Sequence, residues 1–371
     1  MKNLKIAIVH DDFIQNGGAE FFIFEIIEEL QKNQQFNITV VSSIITSEWK
    51  RKFMDIGVDT KESFIGRLPL IKYYSKILFL TPLFYMSFES FDFSEFDLVL
   101  SSSTRYGQSI ITKPETIHIS YINSPGKMMW ETKKYFYGKK FLYNLIQNFL
   151  PLNRVYDYYS QHRADYLLAN SKNISTKIYK NYKLDSQVLY PFINFEKIKK
   201  NNLTKKDYYI LISRLIPWKR IDFVIEAFNE LELPLIIVGS GDENYIEKLK
   251  KNANKNISFV GFVSDLDKYR LLEEARGLIF PQDEDFGLTI IESLYLNTPV
   301  IYFNQGGAKE ILKDTYGISF NLQERSSLVE VINNYNFGQF SGLSEFSLSF
   351  RKEVFIESLS KFLKQTSNIV E

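Results

Sequence analysis

The sequence predicts an α/β protein of two doubly wound, Rossmann-like domains, and three observations carry that prediction. Short apolar runs of strand length alternate with segments of helical period, the alternation occurs as two separate series, and a polar, lysine-rich stretch lies between them. At 371 residues the chain is long enough for two or three domains of about 150 residues each.

The first series runs through Leu4 to His10, Asn37 to Ser42, Leu98 to Ser101, Ile117 to Ile122, Tyr166 to Ala169 and Val188 to Tyr190. All read as buried strands, with helical segments such as Ala19 to Lys32 between them. The second runs through Tyr209 to Ile212, Leu235 to Val238, Ile257 to Val260, Leu278 to Phe280 and Val300 to Phe303. Between the series, Asn194 to Lys206 has the composition of a solvated linker. One long mixed sheet with a basic surface loop is the alternative, and sheets of that length are uncommon. The boundary therefore falls at 195/196, giving a first domain over 1–195 and a second over 196–348. A last helical stripe, marked by Val354, Phe355, Leu359 and Phe362, occupies 349–371.

Lys and Arg total 45 against 44 Asp and Glu, so no whole-molecule field points to nucleic acid as a partner. The absence of cysteine excludes disulfides, thiolate metal sites and Cys nucleophiles, and only His10, His118 and His162 remain as imidazole ligands. The longest markedly apolar stretch, Ile77 to Phe88, is about twelve residues and contains Pro82, short of the roughly 20 needed to span a bilayer. No apolar leader segment precedes the first strand, so a cytoplasmic location is expected.

Parallel sheets place ligands beyond the carboxyl ends of their strands, which directs attention to the strand-to-helix turns. After the first strand, Gly17-Gly18 precedes a helix, where backbone N–H groups can approach an anion; a tight turn explains the same pair. In the second domain Arg214 ends a strand and Lys219 begins the next helical segment, a spacing that lets two cations converge on a diphosphate. Gly239-Ser240-Gly241 and Gly306-Gly307 add glycine-lined turns that suit a phosphorylated ligand. The sharpest feature is Phe280-Pro281-Gln282-Asp283-Glu284-Asp285-Phe286-Gly287-Leu288-Thr289-Ile290-Ile291-Glu292. Its two glutamates can each accept hydroxyl hydrogen bonds, and Gly287 to Thr289 would present free N–H groups. Thr289-x-x-Glu292 also fits a capping box, and Asp283-Glu284-Asp285 fits a metal-binding Asp-x-Asp.

In this order these motifs resemble a retaining glycosyltransferase of family 4, with the GT-B architecture of two Rossmann-like domains facing a central cleft. The resemblance rests on His10-Asp11 with Gly17-Gly18-Ala19-Glu20, Tyr121-Ile122-Asn123-Ser124-Pro125 with Trp130, Ala164-Asp165, Ala169-Asn170-Ser171, Tyr190-Pro191, Arg214 with Lys219, Gly239-Ser240-Gly241, and the Glu-x7-Glu pattern of Glu284 and Glu292. It implies that Arg214 and Lys219 bind the donor diphosphate. Glu284 and the backbone of Phe286, Gly287, Leu288 and Thr289 would hold the transferred sugar, and Glu292 the ribose. Phe262 and Gly239 would contact the nucleotide, Gly17 and Gly18 would let the first domain approach sugar and phosphate, and the last helix would cross back to that domain. No cofactor or metal is implied; the donor is a nucleotide diphosphate sugar.

The early His-Asp with Gly-Gly-Ala-Glu is similar to bacterial mannosyltransferases that use GDP-mannose in O-antigen or capsule assembly, so GDP-mannose is the favoured donor and a UDP-sugar the alternative. The chain departs from them at Asn123, where they carry His. Asparagine can hydrogen-bond a sugar or phosphate but cannot exchange a proton near neutral pH. A front-face mechanism, in which the leaving phosphate takes the acceptor proton, does not need it to.

Lysines 127, 133, 134, 139 and 140 alternate with Trp130, Tyr135, Phe136, Tyr137, Phe141 and Tyr143. Interleaved this way, residues 127–143 suit a peripheral contact with anionic membrane at the inner face of the cell membrane, bringing a lipid-linked or growing glycan acceptor; a core helix with a lysine face is the alternative. Three other functions remain as comparisons: a sugar-nucleotide epimerase, a non-catalytic binding partner, and a nicotinamide dehydrogenase, which the missing Gly-x-Gly-x-x-Gly disfavours.

Overall fold

The computed structural model describes residues 4–15, 17–32, 35–68, 81–137, 140–334 and 340–367. The chain divides into two compact units, Met1–Tyr190 with Ile356–Glu371, and Pro191–Phe355.

The first unit holds a seven-stranded sheet of β1 (Leu4–His10), β2 (Phe36–Ser42), β3 (Asp59–Glu62), β4 (Leu98–Ser103), β5 (Ile117–Ile122), β6 (Tyr166–Ala169) and β7 (Gln187–Val188). Every pairing is parallel and the order is β3-β2-β1-β4-β5-β6-β7. All six residues of β4 are buried, as expected of a parallel strand covered on both faces. The helix Gly18–Gln31 returns the chain over the sheet with Phe22, Ile23, Ile26, Ile27 and Leu30 inward, the 3.6-residue stripe its sequence displays.

The second unit repeats the plan in six parallel strands: β8 (Tyr209–Ile212), β9 (Leu235–Val238), β10 (Ile257–Gly261), β11 (Gly277–Phe280), β12 (Val300–Phe303) and β13 (Gly317–Phe320). Their order is β10-β9-β8-β11-β12-β13. Its core packs Leu211, Ile237, Ile279 and Ile301 from the sheet against Val224, Ile225 and Phe228 of helix Ile221–Leu231. In each sheet the order reverses between the first strand and the fourth, β1/β4 and β8/β11. Ligands bind at such switch points.

Three sequence expectations change. β3 and β13 are strands that the apolar-run reading passes over, because Asp59-Thr60-Lys61-Glu62 is a polar sheet edge and Gly317-Ile318-Ser319-Phe320 is short and mixed. The last strand of the first series is limited to Gln187–Val188. The lysine-rich stretch is largely exposed, and it is tethered at several points: Glu273 accepts from the N–H groups of Asn201 and Asn202, Lys205 Nζ donates to the Glu273 carbonyl at 2.8 Å, and Phe195 stacks on Tyr295. The last helix, Lys352–Ser367, contributes to both units: Phe355 packs on Phe192 of the second, and Phe362 edge-on to Tyr166 of the first.

Candidate functional site

At the second unit's switch point, β8 is followed by Ser213-Arg214 and the chain turns through the short 3-10 segment Pro217–Lys219. Arg214 is exposed, and its guanidinium makes no hydrogen bond or ion pair among the described residues. Lys219 is buried at 4 % exposure, forms an ion pair with Glu284 and lies 4.3 Å over the Trp218 ring. Burial of this ammonium is sustainable because the carboxylate and the ring face offset its desolvation. The loops that bear the pair are tied together: Arg220 donates to the Gln323 carbonyl at 3.0 Å, and the Gln323 side chain donates to the Pro281 carbonyl at 2.7 Å.

Beyond β11, Gly287 adopts φ +107°, a conformation that L side chains rarely take, and caps helix Leu288–Tyr295. Leu288 and Thr289 occupy its first turn, where N–H groups lack an intrahelical acceptor. The capping-box alternative fails, since this helix start has no side-chain cap and Glu292 accepts elsewhere. Its Oε1 takes Lys268 Nζ at 3.0 Å and the Tyr269 hydroxyl at 3.3 Å. Neither partner is a sequence-predicted site residue, because the lysine contact spans 24 positions and joins two different helices.

The other glycine turns of this unit allow close backbone approach. A Cβ on Gly306 would meet the Glu284 carbonyl oxygen at 2.3 Å, and one on Gly307 the Phe286 backbone at 2.4 Å, while the Gly307 N–H donates to that Glu284 carbonyl. Likewise a Cβ on Gly239 would lie 1.9 Å from the Ser213 carbonyl oxygen, and one on Gly241 2.2 Å from that of Leu215. The glycine pairs thus let neighbouring turns press against the backbones of Ser213–Leu215 and Glu284–Phe286. Phe262, just past β10, is 84 % exposed.

In the first unit the switch-point residues are consumed by one another. Asp11 accepts from the N–H groups of Thr104, Tyr106 and Gly107, each at 2.8 Å, and from the Thr104 hydroxyl at 3.0 Å. Burial pushes its carboxyl up, but Arg105, His10 and the backbone donors outweigh that and hold it below the usual range. Asp12 pairs with Arg105, whose guanidinium is driven above its ordinary value by Asp12 and Asp11 despite burial. His10 Nδ1 lies 2.9 Å from the Ser102 carbonyl, so Nδ1 donates. Asn123 is half-buried at the end of β5 and donates to Ser102 Oγ at 3.0 Å. Gly17 has the Glu20 carboxylate against it, and a Cβ on Gly18 would meet nothing within 4 Å.

Of the aromatic and basic stretch, Met129 and Thr132 are buried, and Trp130 turns inward to donate to Asp157 Oδ2 at 2.5 Å and pack on Tyr182. Lys134 and Lys177 both pair with Glu131. Lys133, Tyr135, Tyr137 and Phe141 are exposed, and the exposed apolar surface extends past 143 to Leu145, Phe149, Leu152, Val155 and Tyr159. Lys139 and the side chain of Lys140 lie outside the described residues. Among the described residues no helix is long and apolar enough to cross a membrane, and no cluster of three or more His, Asp or Glu could hold a metal ion.

Residues 193–335 match the family model described as Glycosyl transferases group 1. The chain is 27% identical to O-antigen chain mannosyltransferase C of Escherichia coli over 34% of its own length and 36% of that protein's. It is 25% identical to an alpha-1,3/1,6-mannosyltransferase of Dictyostelium discoideum over 84% of this chain and 85% of the relative. The match spans only about a third of the Escherichia coli relative and 45% of the human alpha-1,3/1,6-mannosyltransferase. Among solved structures, sucrose-phosphate synthase from Thermosynechococcus elongatus is similar with a TM-score of 0.74 at 14% identity, covering 99% of this chain and 100% of that one. Anabaena HepE in complex with UDP and glucose is similar with a TM-score of 0.69 at 15% identity, covering 98% and 100%. The chain therefore has the two-domain GT-B fold, and residues 193–335 of its second unit match the glycosyl transferase group 1 family.

Proposed function

We propose that this chain is a retaining, metal-independent glycosyltransferase that moves a hexose, with mannose from GDP-mannose favoured, onto a lipid-linked or growing surface glycan. The observation that carries the reading is the Lys219–Glu284 ion pair at the β8/β11 switch point, where Arg214, with no side-chain partner among the described residues, follows β8 and the first-turn N–H groups of Leu288 and Thr289 open the helix after β11. Cations for a diphosphate thus adjoin a carboxylate for sugar hydroxyls. The mannosyltransferase relatives support the choice of sugar.

In this reading Arg214 and Lys219 take the diphosphate, Glu284 and the Phe286–Thr289 backbone the hexose, Glu292 the ribose, and Phe262 the base, with Gly239 shaping the turn beneath Arg214. The sugar–phosphate bond breaks as the acceptor oxygen attacks the same face of the anomeric carbon, and the leaving phosphate oxygen takes the acceptor proton. Asn123 serves as a hydrogen-bond partner only. The first unit, with Asn123, Gly17 and Gly18, receives the acceptor. The exposed apolar surface from Tyr135 to Tyr159 supports work at the inner face of a membrane, which co-sedimentation with anionic liposomes at low salt tests.

A UDP-sugar donor is the second reading. The HepE neighbour, in complex with UDP and glucose, favours it, and the exposed Phe262 ring can stack on either base. Thermal shift with GDP, UDP, ADP and their sugar conjugates, in chelator, decides: ligand at about 100 times its Kd adds roughly 2.7 kcal/mol, a rise of several degrees. A rise with GDP and GDP-mannose alone leads to an acceptor screen, a rise with UDP conjugates changes the donor, and no rise overturns the proposal.

A further inference from the structure

Glu292 is 9 % exposed, and its carboxylate is used asymmetrically. Oε1 holds both donors, Lys268 Nζ and the Tyr269 hydroxyl, while Oε2 takes no protein donor among the described residues. A carboxylate oxygen accepts about two hydrogen bonds, so Oε1 is filled and Oε2 keeps room for about two more. Two hydroxyls converging on one oxygen is the pattern a vicinal diol presents. Lys268 is itself anchored, bridging Glu292 to Asp265 Oδ1 at 3.2 Å, and its helix, Asp265–Glu274, begins just after the exposed Phe262. Burial works against this ammonium, but Glu292, Tyr269 and Asp265 more than offset it, so it stays charged across the physiological range.

From this geometry we infer that Lys268, seconded by Tyr269, is a positioning residue that turns the open oxygen of Glu292 toward the 2′,3′-diol of a ribonucleoside diphosphate and so selects it over the 2′-deoxy form. The inference rests on the proposed role of Glu292 toward ribose. Without Lys268, Oε1 regains an empty acceptor site, the carboxylate is no longer held in one rotamer, and a single remaining hydroxyl is met as well as two.

Calorimetric titration of the full chain with GDP and 2′-deoxy-GDP, and in parallel with UDP and 2′-deoxy-UDP, tests this. The unaltered protein should bind the ribonucleotide about tenfold more tightly than its deoxy partner, the worth of one charge-assisted hydrogen bond. Lys268→Met should cut that ratio to about threefold or less with the deoxy affinity nearly unchanged, Tyr269→Phe should cut it less, and Lys268→Arg should restore it. A purely structural role for Lys268 would weaken both nucleotides alike, and that outcome, or an unchanged ratio in Lys268→Met, overturns the inference. If Lys268→Met does not fold, Tyr269→Phe decides by the same ratio. Glu292→Gln separates the two levels. Should it lower the ratio while Lys268→Met and Tyr269→Phe do not, only this inference falls; should it alter neither ratio nor affinity, the ribose role falls with it. An unaltered protein that binds none of the four nucleotides overturns both.

Discussion

The same topological position is used in opposite ways by the two units. At β1/β4 the turn residues close on one another: Asp11 fills its carboxylate with donors from the β4 turn, and Asp12 pairs with Arg105. At β8/β11 the turn residues reach across but leave capacity over: among the described residues Arg214 has no side-chain partner and Glu292 Oε2 takes no donor. The first arrangement staples two turns together. The second leaves bonding capacity unused. A charged residue at a switch point is therefore diagnostic only once its partners are counted.

The largest predicted effect falls on the closed side. Asp11→Ala leaves the donors of Thr104, Tyr106 and Gly107 buried without an acceptor, and should destabilise the fold by about 4 kcal/mol at neutral pH, read by chemical denaturation. Because the folded-state pKa of Asp11 is lowered, its contribution is present above the unfolded value near 4 and lost as pH falls beneath it.

Asp157 has the opposite sign. Burial pushes its carboxyl up to about 6, despite hydrogen bonds from Trp130, Tyr182, Tyr85 and Gln108. Its contribution is complete below the unfolded value near 4 and is lost as pH rises to about 6, by about 3 kcal/mol. Stability of the unaltered protein should thus fall across that window relative to Asp157→Asn. Parallel curves would show that this hub is not the titrating group.

On the open side, Lys219→Ala should weaken nucleoside diphosphate binding by about 1.5 to 3 kcal/mol, the range of one charge-assisted hydrogen bond. It also strips Glu284 of its ion-pair partner, so some loss of stability accompanies the change. Unaltered diphosphate affinity would make the pair a staple like Asp12–Arg105 and erase the contrast between the units.

Much of this was legible in the sequence. Buried parallel strands announce themselves as apolar runs, and the spacing of Arg214, Lys219, Glu284 and Glu292 reflects which strand ends they follow. Illegible were the features that depend on tertiary approach. Gly306 and Gly307 give no sign in the sequence of the close approach they allow to the Glu284–Phe286 backbone. Trp130 reads as interfacial until Asp157, from another helix, takes its N–H. Lys268 carries no local signal at all, since its meaning lies in Glu292 on a neighbouring helix.

The smallest predicted effect sharpens the contrast most cheaply. Phe262 is 84 % exposed, so Phe262→Ala should leave the melting temperature within about a degree, surface changes away from packing being worth under about 0.5 kcal/mol. A ring that stacks on a nucleobase contributes roughly 1 kcal/mol or somewhat more to binding, so nucleotide affinity should drop by a factor of about five to ten. The two readouts must separate for the ring to belong to a ligand. If GDP and UDP weaken equally, stacking alone is at work and the base is chosen elsewhere in the second unit. If only one weakens, Phe262 itself discriminates, and the donor nucleotide follows from which one it is.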